Sequence, residues 1–215
     1  MDQKFEALEE GKRQRIMNAA MREFASRGYD HASTNRIVED AGIAKGLLFH
    51  YFKNKKQLFL YLYDHGVGWV TEEVFRYVDF SEPDFFTRLR AAQRAKVALI
   101  RVYPDIFSFL KSAYLEESAH VKPDLEARNS GLLASSFQKA FEGVDYTVFR
   151  EGLDAALAVK TIAWAFEGFA NTYMETLHHV DVLDMDYERM LAASDEYVGF
   201  LKQCFYKQSA GTITK

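Results

Sequence analysis

The chain has 215 residues, enough for one domain or for a small module joined to a larger one. Apolar residues at 48% with 27% charged exclude a disordered chain, and three Pro and twelve Gly are too few for the frequent turns of an all-β sandwich. The single cysteine, Cys204, excludes an internal disulfide and multi-cysteine metal sites, and the net charge of −4 hides a division: residues 1–60 carry 11 Lys and Arg against 8 Asp and Glu, residues 61–215 carry 16 against 23.

Helix start and stop signals divide the chain into about nine helices with no credible strand, an all-α fold. An amphipathic helix with Ile16, Ala20 and Phe24 at four-residue steps is expected to stop at Gly28. Ser33-Thr34 opens a short helix to Ala41, Gly42 breaks it, and a second short helix spans Lys45 to Phe52. Asn54 then caps a long helix from Lys55 towards Asp79, and Ser81-Glu82-Pro83-Asp84 reads as a capping box with an early proline. Pro104 and Pro123 fit first turns and divide 82–142 into three segments. Asp145 to about Leu177 is expected as one helix, and Asp184 or Asp186 starts a last one reaching Phe205. The polar stretch 208–215 is expected to fray. The start of the chain lacks an apolar leader core and no run approaches the about eighteen uncharged apolar residues of a membrane helix, so the expectation is a cytoplasmic protein without a membrane partner.

The segment that carries chemistry is Ser33 to Phe52, two short helices joined by Ala41-Gly42-Ile43-Ala44. Turning the second helix at about 100° per residue points Leu48 and Phe52 inward. Gly46, Leu47 and His50 then face outward, with Lys45, Phe49 and Tyr51 on the flanks. From Ile43 to Leu58 there are four lysines and no acid, a field that suits phosphate. Gly46 allows close approach to a major groove, and Lys45 and Lys55 can neutralise phosphates.

These residues carry a resemblance: Arg15-Ile16 to Phe24, Gly28-Tyr29, Ser33-Thr34, Ala41-Gly42-Ile43, and Lys45 through Lys55 with its Tyr51-Phe52-Lys53-Asn54-Lys55 ending. Over roughly residues 10–62 the chain resembles the DNA-binding domain of the TetR/AcrR transcriptional regulators. The resemblance implies that residues 45–52 read double-stranded operator DNA, that Lys55 touches phosphate, and that Ser33, Thr34 and Asn35 approach from the preceding helix. It implies a domain at 1–56 for DNA, a helical effector-binding and dimerisation domain at 57–207, and a homodimer through the last two helices. Repression relieved by a small hydrophobic or aromatic effector is the family's usual mode. Three positions depart from the pattern: Phe49 where a tyrosine is commonest, Ala44 where a serine often caps at a gain of about 1 kcal/mol, and Leu47 in place of a hydroxyl residue.

Beyond residue 62 the signals are broader. Ala155, Ala156, Val159, Ile162, Ala163 and Phe166 form one apolar stripe, and Met190, Tyr197, Val198 and Leu201 another, both candidates for the dimer face. For the effector, Arg101, Glu167 and Asn171 are candidate polar anchors among Tyr103, Phe107, Trp164, Phe169 and Tyr173. A competing enzyme reading rests on Glu117-x-x-His120 and Glu175-x-x-His178, the spacing of di-iron carboxylate bundles, but the two further inward glutamates have only unplaced candidates in Glu73 and Glu142. No phosphate loop, zinc-protease motif or nucleophile elbow occurs, so no cofactor is expected.

Overall fold

The computed structural model describes residues 3–176 and 180–207, with the side chains of 3, 130–137 and 175 left out. Among these are ten α-helices: α1 (Gln3–Glu6), α2 (Glu10–His31), α3 (Thr34–Asp40), α4 (Lys45–Tyr51), α5 (Lys55–Arg76), α6 (Phe85–Val102), α7 (Pro104–Tyr114), α8 (Lys122–Phe141), α9 (Ala155–Thr176) and α10 (Tyr187–Phe205). One 3₁₀ turn covers Tyr146–Val148, and the described residues contain no strand beyond a single bridge between Phe149 and Tyr206. The all-α expectation holds, with nine helices of seven residues or more.

Helices α2 to α4 build their core as the sequence predicts. Ile16, Ala20 and Phe24 of α2 are buried with Ile37 of α3, Leu48 of α4 and Phe52. Gly42 takes φ +64° at the turn, where the Gly42 and Ile43 amides bond back to the carbonyls of Glu39 and Val38 and close the end of α3. Asn54 caps α5 by accepting from the Gln57 amide, and the Gln57 side chain returns the favour to the Lys53 amide. The short α1 has no counterpart in the sequence reading: its Phe5 is buried against Tyr51, Phe52 and Tyr61 at ring separations of 5.5, 4.8 and 5.3 Å.

Three boundaries differ from expectation. Gly28 does not end α2; it kinks it, at φ 66° and ψ 177°, and helix resumes to His31 because the following turn is gripped from outside, as described below. Asp145 starts only the 3₁₀ turn, and α9 begins ten residues later. Phe149 is extended against Tyr206, Gly152 takes φ 80°, and Asp154 caps the new helix through the Leu157 amide. Ser81 is no cap either: Asp84 occupies the N-cap of α6, its carboxylate shared by Thr87, Lys202 and Tyr206.

In the larger part of the chain, Pro104 and Pro123 sit in first turns as expected. Arg88 of α6 is 2% exposed, and its guanidinium donates to the carbonyls of Phe80, Glu82, Ala140, Glu142 and Gly143. One side chain thus closes the C-terminal end of α8 and ties it to the α5–α6 connection, with hydrogen bonds meeting the desolvated charge. Among the described residues the core around α6 falls into two clusters. One gathers Phe85 and Phe86 with Phe141, Ile162, Phe166 and Leu201; the other gathers Val97, Leu99 and Ile100 with Phe107 and Tyr187.

Candidate nucleic-acid interface

The helix α4 presents Gly46 and His50 outward as its sequence predicts, while Leu47 is more covered and Phe49 more exposed than expected. Lys45, Gly46, Phe49 and His50 are exposed, Leu47 and Tyr51 are half-buried, and Leu48 and Phe52 are buried. Ala44 stands at the N-cap with no side-chain bond, so the first amides of α4 are left open to an outside acceptor. The ring of His50 meets Tyr51 edge-on at 5.4 Å, and Tyr51 leans on Phe5, so α1 steadies the flank of α4. On α3, Asn35 is exposed, while Ser33 and Thr34 are half-buried; Ser33 makes no cap bond through its own side chain. Its amide is instead bonded by the buried Glu23 carboxylate at 2.9 Å, which sits where the peptide dipoles of α3 are positive.

Lys55 stands elsewhere than expected. Its Nζ donates to the carbonyls of Tyr29, Asp30 and Ala32 at 2.7, 3.1 and 3.2 Å, and lies 4.6 Å over the Tyr29 ring. All three ammonium protons are used inside the protein, closing the last turn of α2, which leaves none aimed at a phosphate. Lys56 is paired with Asp124 at 2.7 Å. The exposed cations bordering α4 are Lys45, Lys53 and Arg36, none of them in an ion pair among the described residues. Arg36, one position beyond the expected Ser33-Thr34-Asn35 set, was not singled out from the sequence; its solvent face on α3 follows from the inward Ile37 and Val38 beside it.

The turn of residues 29–32 is also the seam with the rest of the chain. Glu116 accepts from the Tyr29 amide at 2.7 Å and from the Ser118 amide at 2.9 Å, and Ser118 donates to Asp30 at 2.8 Å. Further along α2, Arg22 pairs with Asp105 at 3.1 Å and Ser112 donates to the Phe24 carbonyl. α2 is therefore seated along α7, and the turn after its kink is held from one side by Lys55 of α5 and from the other by Glu116 and Ser118.

The expected effector residues do not converge on one site. Phe107 is buried in the core, and Arg101 is exposed. Tyr103 packs on Trp69 at 4.7 Å. Trp164 is 57% exposed on the outer face of α9 with Lys160 over its ring, and Phe169 and Tyr173 pack towards Tyr197 of α10. Asn171 accepts from Tyr114 of α7, and Glu167 lies half-buried one turn before it on the same face. Of the Glu-x-x-His pairs, Glu117 is bonded to Lys122 and His120 is exposed, while the side chain of Glu175 and all of His178 lie outside the described residues. The apolar stripes also need correcting: Ile162, Phe166 and Leu201 belong to the internal core, and the exposed apolar face is carried by Leu157 and Trp164 of α9 and Tyr197 and Phe200 of α10.

Comparisons with known proteins agree with this arrangement. Residues 16–62 match the model of the bacterial regulatory proteins of the tetR family. The chain is 26% identical over 172 residues to the fatty acid metabolism regulator protein of Bacillus subtilis, an alignment that spans 74% of this chain and 81% of that one. It is 43% identical over 51 residues to the HTH-type transcriptional repressor AcnR of Corynebacterium diphtheriae, spanning 24% of this chain and only 27% of that one. The fold superposes on that of the SmeT–triclosan complex with a TM-score of 0.69 at 15% identity, covering 96% and 97% of the two chains. No described helix is long and apolar enough to cross a membrane. In its helix-turn-helix segment the chain matches the tetR family of bacterial regulatory proteins, and its overall fold is similar to that of solved TetR-family regulators.

Proposed function

We propose that the protein is a cytoplasmic one-component repressor whose homodimer binds a palindromic operator and lets go when a small effector occupies the larger domain. The observation that carries it is the open arc of Lys45, Gly46, Phe49 and His50, bordered by the unpaired Lys53 and Arg36 and free of acids from 43 to 58. Gly46 admits the backbone to a groove edge, the open α4 N-terminus and Lys45 meet phosphate, and His50 with Leu47 reaches base edges. Ser33, Thr34 and Asn35 lie where α3 would approach the same strand. Phe49 offers a ring without a hydroxyl and packs on sugar or a thymine methyl.

Two copies are needed because half-sites lie about 34 Å apart and one small unit makes few contacts. An effector acts only through its differential affinity for two arrangements. The seam at 29–32 gives the route, since a tilt of α5 or a slide of α7 drags the end of α2, and with it α3 and α4. The likeness to SmeT, which was solved with triclosan, supports a ligand-accepting larger domain, as does the relative that regulates fatty acid metabolism.

The test is fluorescence anisotropy with duplex DNA from upstream of the protein's own gene, in a salt series. The expected result is a steep linear fall of log affinity with log salt, and a slope shallower by about 0.9 in Lys45→Ala. Salt-independent binding, or none to any such DNA, would overturn the reading. His50→Ala should change which sequence is preferred more than it changes the slope.

A further inference from the structure

The four residues of α1 are too few to hold a helix by themselves, because a single turn forms too few hydrogen bonds to offset the order it imposes. A nest of rings holds it instead. Phe5 is 1% exposed and meets Tyr51 and Phe52 at the end of α4 and Tyr61 of α5, each edge to face. The Phe5 carbonyl accepts from the Leu8 amide at 3.2 Å, and Leu8 packs on the same core. Beside the nest, Tyr61 donates to the Glu6 carboxylate at 2.5 Å and Arg13 donates to the Glu6 carbonyl at 2.8 Å. The stretch before α2 is thus fastened to α4 and α5 at successive residues, Phe5 by packing and Glu6 by hydrogen bonding.

From this nest a line of rings runs out to the exposed arc of α4. Phe5 lies 5.5 Å from Tyr51, and Tyr51 lies 5.4 Å from His50. Among the described residues these are the two rings paired with Tyr51, the buried Phe5 on its inner side and the exposed His50 on its outer side. Tyr51 is half-buried and its hydroxyl has no hydrogen-bond partner among the described residues, so packing alone orients it. A tyrosine that loses the wall behind it gains rotamer freedom, and so does the histidine resting on it. A side chain that is free before binding loses more conformational entropy on binding than one already fixed. Lys45, Lys53 and Arg36, the cations that border the arc, are exposed, and none of them lies over a ring among the described residues, so their reach to phosphate does not pass through α1.

We infer that α1 is a clamp for sequence reading, in which Phe5 is a positioning residue that fixes Tyr51 and, through it, holds His50 in the orientation that meets base edges. The inference rests on the proposed function for the role of α4, whereas the coupling of the three rings rests on their geometry alone. It divides the interface by origin. Affinity for phosphate comes from the exposed cations, and part of the sequence preference comes from a buried residue with no surface to offer DNA.

The experiment measures, by anisotropy on the full-length protein, the ratio of affinities for duplex DNA from upstream of the protein's own gene and for a scrambled duplex of the same length and composition. Phe5→Ala is expected to cut the wild-type ratio about tenfold, the discrimination carried by one base contact, with the salt slope unchanged because no phosphate contact is lost. Phe5→Leu, which refills the nest, should restore most of the ratio. In a His50→Ala background Phe5→Ala should cost little more, since two residues acting through one contact are not additive. Tyr61→Phe frees Glu6 while keeping every ring, and should move the ratio the same way by a smaller factor, which keeps the test open if Phe5→Ala folds poorly. Without DNA, the imidazole resonance of His50, assigned by its absence in His50→Ala, should move in Phe5→Ala towards that of an exposed histidine as the Tyr51 ring current is lost. A ratio unchanged in both Phe5→Ala and Tyr61→Phe, a full further loss in the His50→Ala background, or an unmoved His50 resonance would each overturn the clamp and leave the regulator reading standing. A His50 resonance that moves in a protein with no affinity for the upstream duplex would sink the regulator reading, and with it the clamp's part in DNA recognition, while the coupling of the rings stood.

Discussion

Four lysines crowd the segment after the turn, yet their environments give them different work. Lys45 and Lys53 are exposed, whereas the ammonium of Lys55 is consumed by three carbonyls at the end of α2. Lys55→Met should therefore lower stability by about 1–3 kcal/mol, the worth of hydrogen bonds to a charged group, read as a shift in denaturant midpoint. In the folded protein it should leave the salt slope of DNA binding unchanged, in contrast to Lys45→Ala. A slope that falls by about 0.9 would instead assign Lys55 to phosphate. Asp84 makes a second residue-scale case. Burial alone would raise its carboxyl, but the hydrogen bonds from Lys202, Tyr206 and Thr87 together hold it below the usual carboxylate range. A folded value below the unfolded one means stability present above the unfolded pKa and lost as pH falls through the folded one. Asp84→Asn should melt lower near neutrality and show a shallower loss between about pH 4 and pH 2, measured by circular dichroism across pH.

The decisive element is the kinked end of α2. At φ +66° Gly28 adopts backbone that an L side chain enters at a cost of about 1–2 kcal/mol, and an added Cβ would stand 3.4 Å from the Glu116 carboxylate that holds the next amide. Gly28→Ala is expected to lower stability by that amount. It should also weaken the communication across the seam, so that an effector releases less DNA in the variant than in wild type at equal occupancy. Full release in Gly28→Ala would place the coupling elsewhere. How far such features could be read beforehand depends on their range. The α2–α4 core, the Gly42 turn, the Asn54 cap and the proline starts of α7 and α8 are set by neighbours a few residues apart, and their signals stand in the local sequence. The grip of Lys55 on residues 29–32, of Glu116 on Tyr29 and of Arg88 on α8 joins positions 23 to 87 apart, and nothing in the local pattern announces them. Phe5 failed to signal α1 because a single aromatic carries no period. The break at 149–154 was hidden because Phe149 is fixed by Tyr206, more than fifty residues away.

At the scale of the whole molecule, the outer face left by α9 and α10 decides whether one copy suffices. Leu157, Trp164, Tyr197 and Phe200 are 58%, 57%, 40% and 60% exposed, a concentration of large apolar side chains at the end of the chain opposite in sequence to α4. Exposed apolar patches of this kind are where subunits meet, and on the proposed function the partner here is a second copy of the chain. One α4 arc offers Arg36, Lys45 and Lys53 to phosphates, and three neutralised phosphates give a salt slope of about −3. Two arcs on one duplex give about twice that slope, and the second arc binds as an intramolecular event at high effective concentration. On that proposal wild type should sediment as a dimer, and Trp164→Glu with Phe200→Glu as a monomer. The monomer should keep its helical circular dichroism, since both positions are exposed, and its salt slope on operator DNA should fall by about half with affinity reduced by about 10²-fold or more. A double variant that still sediments as a dimer would move the interface off these two helices. A wild-type monomer binding DNA with the doubled slope would show that the contacts missing from α4 come from elsewhere on the same chain.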